Sequence, residues 1–333
     1  MFKVGTAVAG KGEAARGVIH VGELALGASV DIPVLVIRGM KDGPTFWING
    51  AVHGDEINGF MAVKTLAASL DAARLRGTVV ATPLSNPLAV QWRNKINPYD
   101  FLDMDQQFPG DPAGQYTQRA AHALFSEVKT NADCLVNFHT VATQFAAQPY
   151  TVFKIAPSLK PEVRERIETM ALAFGAHANC RVDLATATGE VPGGVAGGLD
   201  IQCALQGIPA FMAEIGSGGK FEADNIAFAA KGLRNIMSKL GMIDDPYVAP
   251  SGQLLVTRRA FLYCTRAGFL SMEAAPGDVL AAGARIARIE DLWDEREAVT
   301  VAGSSYVLMS RVNPVVHTGD RVAFLGLDWQ QIN

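Results

Sequence analysis

The chain has 333 residues, 49% of them hydrophobic and 19% charged, with a formal net charge of −4. That apolar content excludes a disordered chain, and the lack of excess Lys and Arg does not suit a dedicated nucleic-acid binder. No apolar run approaches the ~18–20 residues of a membrane helix, and the N-terminus has no signal-peptide core, so the cytoplasm is the expected compartment. At roughly 100–200 residues per domain, the length predicts about two domains. Cys134, Cys180, Cys203 and Cys264 are far apart. This spacing argues against a disulfide framework and against a cysteine-rich zinc site.

The N-terminal 29 residues read as a β extension. Residues 30–37 (VDIPVLVI) are β-branched and predict a strand, as do 45–49 (TFWIN) and 77–82 (GTVVAT). Between the last two, Ile57, Phe60, Met61, Ala67 and Leu70 recur near helical spacing. A long proline-bearing loop is expected from Pro83 to Gly114, and a loop of that length is usually functional. A helix at 116–129, a strand at 134–138, a helix at 160–174, a strand at 208–213 and a helix at 222–240 follow. This alternation predicts an α/β domain with a parallel or mixed sheet, residues 1–245. DDPYVAPSG (244–252) reads as a linker. Short β runs at 253–258, 262–264, 285–289, 298–301, 305–312 and 321–325 predict a small all-β domain, residues 246–333.

Chemistry-bearing side chains recur where α/β sheets bind ligands, at the C-terminal ends of strands. In NGAVHGDE, His53 and Glu56 are three apart at a strand–helix junction, close enough to converge on one ion. Gly54 between them permits an unusual backbone angle. The alternative is a helix N-terminus that favours Asp55 and Glu56 through the dipole. In CLVNFHT, His139 directly follows an apolar strand. Two imidazoles and one carboxylate are the donor set of a catalytic zinc, which leaves a fourth position for water. In IPAFMAEIG, Glu214 ends an apolar strand, where an unpartnered carboxylate is costly. A general base beside a metal-activated water accounts for it; a surface glutamate is the alternative.

NGAVHGDEINGF, VNFHT and QGIPAFMAEIG, in that order, resemble the succinylglutamate desuccinylase/aspartoacylase family of the zinc-carboxypeptidase clan. Asn86-Pro87 and DMDQQFPG (103–110) resemble its Asn-Pro and D-L-N-R-x-F-P-G motifs. The similarity covers roughly residues 30–243. It implies a zinc-carboxypeptidase-like mixed-sheet domain and a C-terminal barrel-sandwich-like β domain. It also implies one Zn2+ per chain on His53, Glu56 and His139, with Glu214 as catalytic glutamate and Asn86 among the substrate contacts. One motif departs from the pattern. The family's Asn-Arg pair, which holds a substrate carboxylate, reads Asp105-Gln106, so a guanidinium fork is lost and a negative charge gained. Lys95 stands near the position of the arginine that polarises the scissile carbonyl, and Arg93 is two residues away; plain surface charge is the alternative for both.

The expected function is zinc-dependent hydrolysis of the amide of a small N-acyl amino acid. Other readings are a metallocarboxypeptidase acting on small peptides and a degenerate small-molecule binding protein. No nucleic-acid or membrane partner is expected, and a homo-oligomer is compatible with the sequence. The tail AGFLSMEAAPGDVLAAGARIARI has a lipoyl-like rhythm, but residues 250–333 contain no Lys, which excludes a swinging arm.

Overall fold

The computed structural model describes residues 1–186 and 196–333. A hairpin of β1 (Phe2–Val4) and β2 (Ala7–Ala9) precedes β3 (Ala14–Glu23) and β4 (Ser29–Arg38). Then come β5 (Lys41–Asn49), α1 (Asn58–Ser69), β6 (Arg76–Thr82), α2 (Pro87–Trp92), α3 (Tyr116–Asn131) and β7 (Cys134–Val141). β8 (Phe145–Ala147), β9 (Tyr150–Ile155), α4 (Pro161–Phe174) and β10 (Ala178–Asp183) follow. α5 (Leu199–Leu205), β11 (Ala210–Ser217) and α6 (Ala223–Lys239) come next. The described chain then holds only strands: β12 (Leu254–Tyr263), β13 (Gly268–Met272), β14 (Val279–Leu280), β15 (Arg285–Glu290), β16 (Glu295–Thr300), β17 (Ser305–Arg311), β18 (Val315–Val316) and β19 (Arg321–Gln331). No helix among the described residues is long and apolar enough to cross a membrane.

A large mixed sheet runs in the order β14-β17-β19-β12-β10-β9-β11-β7-β5-β6-β4-β3, with β8 on β17. Its centre, β6, β5, β7 and β11, is parallel. These strands are buried on both faces, which explains their near-continuous apolar sequence. In TFWIN, Phe46 and Ile48 face one core with α1, α4 and α6, while Trp47 faces another with α3. β9 turns antiparallel to β11, and β10 and β12 run parallel to β9. The large sheet therefore continues past residue 246 into the strand-only region. A second, antiparallel sheet there has the order β16-β15-β13-β18.

Several elements differ from the sequence reading. The expected loop 83–114 is interrupted by α2, which Asn86 caps and Pro87 opens, and by a 3-10 turn at Met104–Gln106. β8, β9, β10 and α5 were not predicted, because they are short and carry no sustained period. The runs at 253–258 and 262–264 form one strand, β12, with register shifts on β19. Both site strands are longer than expected, so His139 lies inside β7 and Glu214 inside β11 rather than at its end.

Candidate active site

After β5 the chain turns through Gly50 and Ala51, the latter in the left-handed region at φ 51°. Asn86 fixes this turn: its Nδ2 donates to the Val52 carbonyl at 3.0 Å, and its backbone N–H donates to Ala51. His53 follows directly. Gly54 is required by close approach, not by an unusual dihedral; a Cβ there would meet the Ala89 backbone at 1.9 Å. The helix-terminus alternative for Asp55 and Glu56 is not realised either. Ile57 is the N-cap residue of α1, and the first turn holds no acidic residue.

The Glu56 carboxylate bridges the two imidazoles. Its Oε1 lies 2.8 Å from His53 Nδ1, and its Oε2 lies 2.9 Å from His139 Nδ1 while accepting from the Thr140 N–H at 3.0 Å. All three residues are buried, and one donor atom from each lies within 4.8 Å of the others. This set fits a metal ion: two nitrogens and a carboxylate oxygen converge, and the outward nitrogens are held from behind. His53 Nε2 lies 3.0 Å from Asp103 Oδ1. His139 Nε2 lies 2.8 Å from the Asn137 amide, the end of a buried hydrogen-bonded line through Asn49 and Thr82 to the Trp47 indole.

Burial opposes charge on His53, but Glu56 and Asp103 outweigh it and hold its pKa well above the usual histidine range. Burial likewise opposes charge on His139, and Glu56 again reverses it. The imidazoles overcome burial at Glu56 and pull its carboxyl down to about 2. The same balance holds Asp103 below the usual carboxylate range, through His53 and Lys95. Glu214 is pushed the other way, up to about 7, by burial first and then by the Glu56 carboxylate. It sits in register between His139 of β7 and Tyr150 of β9, and its Oε2 is enclosed with no hydrogen-bond partner among the described residues. A cluster this rich in buried carboxylates favours a bound cation.

Lys95 joins the cluster through an ion pair of 2.9 Å to Asp103, and Gln106 Nε2 donates to the same carboxylate at 3.1 Å. Asp105 is buried 3.9 Å from His139 Nε2, its Oδ1 has no hydrogen-bond partner among the described residues, and burial raises its pKa. Arg93 ends α2 in the left-handed region, exposed to solvent. Among the described residues no side-chain hydrogen bond or ion pair joins Arg93 to the cluster. Sequence reasoning missed the positions of Asp103 and Asn137 behind the two histidines. It also missed the fully buried pair Lys154–Asp200, 2.7 Å apart, whose charges act on Asp105. A lysine inside the apolar run TVFKI was the available signal for the latter.

Comparisons with known proteins bear on the fold and the family. The chain is 27% identical over 312 residues to the N-alpha-acetyl-L-2,4-diaminobutyric acid deacetylase of Halomonas elongata, covering 91% of this chain and 87% of that protein. Its fold matches the product-bound ectoine utilization protein EutE of Ruegeria pomeroyi at TM-score 0.82 and 24% identity, over 95% of each chain. It also matches a succinylglutamate desuccinylase/aspartoacylase of Rhodobacter sphaeroides at TM-score 0.80 and 24% identity, over 96% of each chain. Residues 42–240 match the succinylglutamate desuccinylase/aspartoacylase catalytic domain. The chain belongs to the succinylglutamate desuccinylase/aspartoacylase family.

Proposed function

We propose that this chain is a zinc-dependent amidohydrolase that removes the acyl group of a small N-acyl amino acid. One zinc per chain would be held by His53, Glu56 and His139, in a carboxypeptidase-like catalytic domain of residues 1–245; residues 246–333 form the smaller β domain. The observation that carries this reading is the convergence of those three buried side chains beside the enclosed Glu214 carboxylate. When bound, zinc supplies Lewis acidity that lowers the pKa of a water toward ~7 and polarises the acyl carbonyl.

The chain's own groups do the rest. Glu214, poised near neutrality, takes a proton from the attacking water and returns it to the leaving amine. Asp103 orients His53 and keeps Lys95 at the site, where its ammonium faces the developing oxyanion. Asp105, buried with its Oδ1 unpartnered among the described residues, receives a cationic or neutral polar side chain of the substrate. Gln106 adds no charge. A deacylase is favoured over a carboxypeptidase because the Halomonas elongata relative, matched across most of both chains, is a deacetylase of an amino acid with a side-chain amine.

Acetate release from matched N-acetyl amino acids tests the reading. N-α-acetyl-2,4-diaminobutyrate is expected to be cleaved with a higher kcat/KM than neutral analogues, and N-acetylaspartate to be poor. The highest kcat/KM on the acidic member would refute the assigned role of Asp105, and cleavage of short peptides alone would refute the deacylase.

A further inference from the structure

With Gln106 in place of the expected arginine, a substrate carboxylate lacks a guanidinium from the catalytic half. The strand-only region provides one. Arg259 lies in β12 opposite Gly326 of β19, with its guanidinium 5.4 Å from the Phe324 ring centroid. Both terminal nitrogens, Nη1 and Nη2, are enclosed and have no hydrogen-bond partner among the described residues. Enclosing a charged donor without a partner is costly, and such a fork matches a carboxylate in two parallel hydrogen bonds.

Its neighbours place this fork on the side of the active site. Four adjacent strands, β11, β9, β10 and β12, carry Glu214, Tyr150, Cys180 and Arg259 in that order. Tyr150, Cys180 and Phe324 share one apolar cluster. Cys180 and Tyr150 both lie close enough to Arg259 and Glu214 to feel the two charges, with opposite sign. Two cations of the catalytic half are already engaged among the described residues, the exposed Lys95 by Asp103 and the buried Lys154 by Asp200.

We propose that Arg259 is a specificity residue that receives the α-carboxylate of the N-acyl amino acid, replacing the arginine absent at position 106 and giving the strand-only region a direct part in the substrate site. This rests on the deacylase reading above.

The test compares N-α-acetyl-2,4-diaminobutyrate with its α-carboxamide in the wild type, Arg259→Met and Arg259→Lys. Losing a charged hydrogen-bonding partner predicts that Arg259→Met lowers kcat/KM for the acid roughly 10–100-fold, mostly through KM. The carboxamide rate is expected to stay unchanged, so the two substrates converge. Arg259→Lys keeps the charge without the fork and recovers part of the loss; it carries the same comparison if Arg259→Met does not fold. Equal losses on acid and carboxamide would mean that Arg259 is structural and would overturn the proposal. If the wild type cleaves neither compound, the deacylase reading fails separately. Calorimetric binding of the same pair then decides Arg259: an acid preference lost in Arg259→Met supports it, and equal binding of the two compounds by the wild type refutes it.

Discussion

Replacing Asp103 by alanine removes the group behind His53 without touching a metal donor. The Asp103 carboxylate contacts His53 Nε2 at 3.0 Å and Lys95 Nζ at 2.9 Å, and accepts from Gln106 Nε2 at 3.1 Å and from the Asp105 N–H at 3.0 Å. Only the first of these orients a proposed ligand. Loss of such an outer contact weakens metal affinity about 10–100-fold, equivalent to about 1.4–2.8 kcal/mol. Asp103→Ala is therefore expected to bind zinc that much more weakly, measured by competition with a chelator of known affinity, with its circular dichroism unchanged. Gln106→Ala is the control. Gln106 touches the same carboxylate but not His53, so its affinity is expected to match the wild type. Equal zinc affinities for Asp103→Ala and the wild type would refute the claim that Asp103 supports the metal site.

Glu214→Gln is expected to keep its zinc and lose on the order of 10²–10⁴ in turnover, the range for a general acid–base group; unchanged turnover would remove Glu214 from the mechanism, and loss of zinc would make it a ligand. The same variant has a pH signature in the metal-free protein. The carboxyl is pushed up to about 7 when folded, against a reference value of 4.5. Its ionisation therefore disfavours the folded state as pH rises through that interval, by at most about 3 kcal/mol. Metal-free Glu214→Gln is expected to melt higher than the metal-free wild type at pH 8 and to match it near pH 4; a lower melting temperature at pH 8 would contradict the assigned burial.

The cluster of His53, Glu56 and His139 was legible because its members sit in local patterns. His53 and Glu56 are three residues apart, and His139 lies on a strand whose apolar run is unmistakable. What brings His139 to them is long-range, the pairing of β5 with β7 in parallel register, which the strand-end positions and the family resemblance suggested without giving the register. The reason for Gly54 was misread, because the sequence shows a glycine but not the Ala89 backbone packed against it. β9 and β10 escaped notice because six-residue strands without alternation resemble buried loops, and Lys154 hid the apolar character of β9. Arg259 was invisible as a site residue for the same kind of reason. It lies 45 positions beyond Glu214 in a region read as a separate β domain, and only the extension of the sheet through β12 brings it near.

A metal-dependent deacylase built on His53, Glu56 and His139 turns over only when the metal is bound. The decisive measurement is acetate release from N-α-acetyl-2,4-diaminobutyrate by chelator-stripped protein titrated with zinc, alongside His53→Ala and His139→Ala. The stripped wild type is expected to show no turnover and to recover activity that saturates at one zinc per chain, while the two variants are expected to hold no stoichiometric zinc and to show no activity. Full activity in stripped protein, or full zinc retention in both variants, would contradict this assignment.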